Sequence, residues 1–223
     1  MPIGSSAEGT AGMGGKVITV AQQKGGSGKT TLAANLAISL VRQGHRVAVL
    51  DTDPQGSLGR WFMMRREATS GETGLEFATA SAWGVSYEVD KLKKSNDFVI
   101  VDTPPKVDSD LRPAIRESDL VVVPVATSHL DLWATESVLE MAERERRSVL
   151  IVLNRASSRA NLTQNILNEL NQLDAPKAAT MVGNRVAFAE ALGSGATVSE
   201  GKNTPAAEEI AALTEEISAY LAP

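Results

Sequence analysis

The sequence predicts a single α/β domain in which a mostly parallel, twisted sheet carries helices on both faces. Three observations predict it. Short runs rich in Val, Ile and Leu alternate along the chain with stretches of helical periodicity. Those runs are apolar almost end to end, as strands buried on both faces are. The 223 residues suffice for one sizeable core and leave little for a second.

Residues 1–15, rich in Gly, Ser and Ala, lack the basic and apolar segments of a secretory leader and read as a disordered tail. The domain is expected over 16–223. Residues 16–22 (KVITVAQ) form the first strand. A helix follows from about 29 to 43, with Ala33, Leu36, Ala37 and Leu40 on one face and Gly44 at its end. Residues 46–51 (RVAVLD) form the second strand, and further strands are expected at 75–80, 97–102, 120–124 and 148–154. Helices are expected at 85–94, 132–147, 162–173 and 205–221. Trp61 and Trp133 read as core aromatics, and neither His45 nor His129 stands in a catalytic setting.

Composition narrows the function classes. Lys and Arg number 22 against 27 Asp and Glu, a net charge of −5, so any contact with DNA has to come from a local basic patch. The absence of cysteine excludes disulfides, thiolate metal sites and iron–sulfur ligation. No apolar run reaches the roughly 18–20 residues of a transmembrane helix, and a cytoplasmic location is expected.

The most informative stretch follows the first strand and opens the first helix: Gln22-Gln23-Lys24-Gly25-Gly26-Ser27-Gly28-Lys29-Thr30-Thr31. Glycines let the backbone turn tightly so that successive N–H groups converge on phosphate oxygens, and the helix N-terminus adds its positive dipole end. In such a P-loop, Lys29 neutralises β- and γ-phosphate charge and the Thr30 hydroxyl ligates Mg²⁺. ATP and magnesium are the expected ligands, with residues 24–31 as their cradle. The pattern departs from G-x-x-x-x-G-K-[ST] at its first glycine, which is Gln23 here, and Lys24 precedes the glycine pair instead.

Two acidic strand ends accompany this loop. The second strand closes in Asp51-Thr52-Asp53-Pro54-Gln55-Gly56, a place from which a carboxylate reaches magnesium or the attacking water. Residues 97–102 (DFVIVD) are an apolar strand ending in Asp102, followed by Thr103-Pro104-Pro105, as expected of an acid that contacts Mg²⁺ directly or through water.

Together, the extra lysine of the loop, the D-x-D-P-Q segment and the Asp-Thr-Pro-Pro stretch resemble the deviant Walker A ATPases of the ParA/MinD family. The likeness extends over about 16–221 and is nearest to the small plasmid-type, ParF-like partition proteins. It includes Val49 to Gln55, Asp119 to Pro124, Leu130-Asp131, and the stretch from Arg185 to Gly195 with Val198-Ser199-Glu200. The resemblance implies a P-loop NTPase fold and ATP hydrolysis. It implies that Lys24 reaches the nucleotide of a partner in an ATP-dependent homodimer, that Asp53 orients the water, and that Asp51 supports the magnesium shell. Asn154 falls where the family contacts the nucleotide base.

It also implies non-specific DNA binding by the dimer, nucleoid association, and a ParB-like or other cargo-adaptor protein that stimulates hydrolysis. Candidate DNA-contacting cations are Arg144, Arg146, Arg147, Arg155, Arg159, Lys177, Arg185 and Lys202, although Glu140–Arg144 and Glu143–Arg147 also read as i,i+4 ion pairs. The cargo is DNA, or alternatively a protein body such as a chemoreceptor cluster or microcompartment. Fifteen residues before the first strand are too few for a helix-turn-helix. A MinD-like membrane-binding C-terminal helix is disfavoured because Glu208, Glu209, Glu215 and Glu216 flank its apolar face, so that face is expected to pack on the core. Metabolic relatives that need cysteines are excluded.

Overall fold

The structure, a computed structural model, describes residues 14–105, 108–127, 129–156 and 166–222, without the side chains of 108–110 and 129–132. The tail over residues 1–13, the first part of the helix expected at 162–173, the His129 side chain and Arg159 lie outside the described residues.

Six strands form one sheet: β1 (Lys16–Val20), β2 (Val47–Asp51), β3 (Glu76–Thr79), β4 (Phe98–Asp102), β5 (Leu120–Val125) and β6 (Ser148–Leu153). Their spatial order is β3-β2-β4-β1-β5-β6, and every pairing is parallel. The helices are α1 (Lys29–Arg42), α2 (Ser57–Ala68), α3 (Val85–Leu92), α4 (Asp108–Arg116), α5 (His129–Arg144), α6 (Val186–Gly193) and α7 (Pro205–Leu221). Residues 166–170 are also helical.

Alternation along each strand feeds two layers. Ile18 and Val20 pack with α1, α2, α6 and α7, whereas Val17 packs with α3 on the opposite face. Helix α1 lies between the sheet and α7, so Leu32, Leu36 and Leu40 are almost fully buried. Burying a Leu or Ile side chain stabilises by roughly 1.5–3 kcal/mol, which makes α1 a rigid mount for the loop that precedes it. The apolar face of α7 packs on the core as expected: Ile210, Leu213 and Ile217 are buried. Thr204 caps its N-terminus through a hydrogen bond from the Ala207 N–H, and Pro205 supplies the first helical residue. Among the described residues no helix is long and apolar enough to cross a membrane.

Two expectations are corrected. Trp61 is buried, but Trp133 is 67% exposed on α5. The Glu140–Arg144 ion pair forms at 3.3 Å, whereas Glu143 and Arg147 do not pair with each other, because α5 ends at Arg144 and Arg146 turns into left-handed backbone with φ 56°. That turn takes Arg147 off the helix face.

Candidate functional site

Parallel register brings the motifs together at the carboxyl edge of the sheet. Val20 lies opposite Asp102, and Asp102 opposite Asp51, so the loop after β1 emerges beside both acids. This edge is where open α/β sheets take ligands.

The loop is built for an anion. Gly26 and Gly28 adopt φ 81° and 90°, a region that side chains enter at a cost. Gly28 is also the N-cap of α1, which has no side-chain cap, so the first-turn N–H groups stay available. A Cβ at Gly28 would stand 2.5 Å from the Asn154 amide nitrogen. That amide donates to the Ser27 carbonyl at 2.7 Å. Asn154, buried at the end of β6, thus holds the loop's backbone from behind while also lining an adjoining cavity.

Lys29 is 7% exposed, and its ammonium donates to the Lys24 carbonyl at 3.5 Å. Burial pushes its pKa down, and the nearby Asp102 and Asp53 carboxylates partly oppose that. An arriving polyphosphate would supply further counter-charge. The Thr30 hydroxyl donates to Asp102 Oδ2 at 2.6 Å. Asp102 is fully buried, its other oxygen has no partner among the described residues, and burial pushes its carboxyl up to about 7.

Asp51 is buried, and both its oxygens serve the backbone: Oδ1 accepts from Asp53 N–H at 3.0 Å and Oδ2 from Gly59 N–H at 2.9 Å. Burial raises its pKa in spite of those bonds. Asp51 therefore shapes the turn that carries Asp53 and fastens it to the start of α2. Asp53 is half-buried, accepts from Gln55 N–H at 2.9 Å, and faces the cleft.

A cleft of about 540 Å³ opens over the loop. Gly25, Gly26, Gly28, Lys29, Thr30 and Asp53 line it; Lys24 does not. A second cavity of about 310 Å³ adjoins it past Gly28 and Thr31, walled by Asn154, Val182, Phe188 and Ile210. A wide opening over the glycine loop and Lys29, joined to a narrower slot whose wall includes Val182, Phe188 and Ile210, is a shape that suits a nucleotide.

Magnesium fits the donors present. No group of three His, Asp or Glu capable of holding a metal occurs among the described residues. A hydroxyl beside one carboxylate with an unpartnered oxygen is instead the sparse hard-oxygen set that Mg²⁺ shares with phosphates and water.

Several residues of the site escaped the sequence reading. Trp61 and Met64 of α2, Arg155 after β6, and Leu192 and Gly193 of α6 border the phosphate cleft. Arg155 was expected on a DNA surface and Trp61 in the core, and the 185–195 stretch carried a likeness without an assigned role; none of them was expected at the cleft. The basic candidates are partly accounted for: Arg185 pairs with Glu209, and Lys177 donates to the Leu173 carbonyl.

Residues 18–198 match the CobQ/CobB/MinD/ParA nucleotide binding domain. The chain is 30% identical to the maintenance of carboxysome distribution protein A of Halothiobacillus neapolitanus over 90% of its own length and 95% of that protein's. It is 29% identical to the chromosome-partitioning ATPase Soj of Thermus thermophilus, over 91% of this chain and 95% of Soj. Its fold is similar to that of the septum site-determining protein MinD of Pyrococcus horikoshii, solved with Mg-ADP. That likeness has a TM-score of 0.77 and 18% identity, covering 93% of this chain and 99% of that one. It also resembles the ATP complex of a Cyanothece McdA variant, with a TM-score of 0.74 and 18% identity, covering 93% of this chain and 98% of that one. The chain belongs to the CobQ/CobB/MinD/ParA nucleotide-binding family, as an ATPase of the ParA/MinD type.

Proposed function

We propose that this chain is a magnesium-dependent ATPase that closes into a homodimer around ATP, binds DNA without sequence preference, and positions a cargo through an adaptor protein. The observation that carries the reading is the division between the two loop lysines. Lys29 is buried under its own cleft, whereas Lys24 belongs to the same loop but is absent from that cleft's lining. A cation so placed suits the nucleotide of a second copy.

In this reading the loop N–H groups and Lys29 bind the phosphates, and Thr30 with Asp102 would hold the metal. The metal, when bound, neutralises charge developing on the β- and γ-oxygens. Asp53 stands at the cleft wall to orient water, on a turn that Asp51 holds in place. Contacts between γ-phosphate and this turn would order the surface on which dimerisation depends, and hydrolysis would release it.

DNA co-sedimentation tests the reading, with ATP, with ADP, and with ATP plus Asp53→Ala, across a salt series and with light scattering in parallel. The expected result is DNA binding and dimers with ATP only, longer-lived in Asp53→Ala and weakening steeply with salt. A protein that dimerises on ATP but ignores DNA at low salt overturns the nucleoid-bound cycle.

For the cargo, the near full-length likeness to a carboxysome distribution protein favours a protein body over plasmid or chromosomal DNA. Tracking a labelled chain against each kind of cargo in the native cell separates the two.

A further inference from the structure

Arg155 occupies an unusual place. It follows Asn154 at the end of β6 and adopts φ 53°, left-handed backbone that glycine enters freely and arginine seldom does. A long side chain in this conformation is costly, and such outliers gather where a side chain has to be aimed at something.

Arg155 is aimed at the seam of the site. It lines both the phosphate cleft and the apolar slot, a property it shares only with Gly28 and Thr31 among the described residues walling these two cavities. Its Nε lies 3.7 Å from where a Cβ on Gly28 would stand, so it lies alongside the loop's last turn. Among the described residues no hydrogen bond or ion pair engages its guanidinium. Its basic neighbour on the slot, Arg185, is by contrast pinned to Glu209 by an ion pair and hydrogen bonds. The site thus holds a planar cation without a partner among the described residues, where a nucleotide would pass from base to phosphates.

We propose that Arg155 binds the phosphates nearest the ribose of a nucleoside di- or triphosphate and positions the nucleotide; it is not part of a DNA surface. This rests on the nucleotide-binding reading of the cleft. The loop N–H groups and Lys29 serve the terminal phosphates, and the Arg155 fork closes on the α/β side, where a guanidinium can donate two parallel bonds.

Arg155→Gly separates a ligand role from a structural one, because glycine relieves the left-handed backbone while removing the cation. Fluorescent ADP and ATP would be titrated against wild type, Arg155→Gly and Arg155→Lys, and each nucleotide-free protein melted. We expect Arg155→Gly to melt at the wild-type temperature or above it. It should bind ADP and ATP more weakly by the same factor, about 10- to 100-fold, as expected for losing charge-assisted hydrogen bonds. Arg155→Lys, which keeps charge without the fork, should fall between.

Unchanged ADP affinity in Arg155→Gly overturns the proposal. So does a loss confined to ATP, which would place the contact on the γ-phosphate. So does a loss of DNA association at saturating nucleotide with ADP affinity intact. Failure of the wild-type protein to bind either nucleotide would instead sink the reading of the cleft itself.

Discussion

Gly26 and Gly28 both hold left-handed backbone in one loop, yet replacing them should not cost the same. Each Ala substitution carries the roughly 1–2 kcal/mol of placing an L-residue there. At Gly26 nothing lies within 4 Å of the new methyl, whereas at Gly28 it meets the Asn154 amide at 2.5 Å and has to break that amide's bond to Ser27. A buried donor left unsatisfied adds about 1–3 kcal/mol. Urea unfolding of the nucleotide-free proteins should therefore rank Gly28→Ala below Gly26→Ala by about that difference; equal midpoints would show that the Asn154 brace contributes nothing. Asp102 gives a pH signature. Burial raises its folded pKa to about 7, above the ordinary value of 3.8. Between those values the folded state holds the extra proton, so the contribution is full below the unfolded pKa and is lost as pH rises through the folded one. Without metal or nucleotide, stability should decline across that window, and Asp102→Asn should flatten the decline in a melting-temperature series.

Helix α2 shows how a whole element is fixed by a residue that pattern reading discards. Its buried positions are Leu58, Trp61 and Arg65, a helical spacing in which one of the three is a charge. The Arg65 guanidinium donates to the Thr73 and Gly195 carbonyls and forks onto Glu200 at 2.9 and 2.8 Å. Trp61 lies under it and donates to the Ala196 carbonyl at 3.1 Å. A Cβ at Gly195 would stand within 2.3 Å of α2 backbone, so only glycine permits this approach. The helix that begins just after the Asp53 turn is thereby bolted to the segment leading into α7. Arg65→Ala should cost about 3 kcal/mol, the low end for breaking a buried pair, because Glu200 keeps 28% of its side chain exposed. Burial alone would raise the Glu200 pKa, but Arg65 and the Thr197 contacts outweigh it and hold the carboxyl below 4.5. That stabilisation is full above the unfolded pKa and lost as pH falls through the folded one. The Arg65→Ala penalty should accordingly shrink between pH 7 and pH 3 in denaturant titrations. The same physics explains what the sequence disclosed. All six strands and α1, α3, α5 and α7 were legible, because burial on two faces or along one stripe imposes an apolar pattern, except at the edge strand β3, which has no buried residue. Helices α2, α4 and α6 were not: α2 starts on left-handed Gly56 and contains Gly59, α4 contains Pro113, and α6 runs for only 8 residues. Residues that phosphate and metal chemistry demand stood out in the P-loop and the acidic strand ends. The loop brace of Asn154 and the cleft wall of α2 arise from segments that meet only after folding, whereas the turn-holding bonds of Asp51 are local, to residues two and eight positions on.

At the scale of the whole molecule, the question is whether one chain contains a complete site. The cleft has its own Lys29, Thr30, Asp53 and Asp102 nearby, but not the Lys24 side chain. If closure around ATP brings that lysine from a second copy, each site draws Asp53 from one chain and Lys24 from the other. Lys24→Ala should then keep ATP affinity within a few-fold of wild type while abolishing ATP-dependent dimers in light scattering. Asp53→Ala should dimerise without turnover. Mixing the two inactive proteins gives a decisive result. In a mixed dimer, the Lys24→Ala chain keeps its Asp53 and receives Lys24 from its Asp53→Ala partner, so one of the two sites is whole. Random pairing in a two-fold dimer then returns about a quarter of wild-type turnover per chain, less where the Lys24→Ala chain pairs poorly. A lysine acting on its own nucleotide would return none, since neither chain would hold both groups. Turnover that appears on mixing and rises with total protein concentration would place Lys24 across the interface; silence from a mixture in which energy transfer between differently labelled Lys24→Ala and Asp53→Ala chains shows mixed dimers would place it in its own cleft.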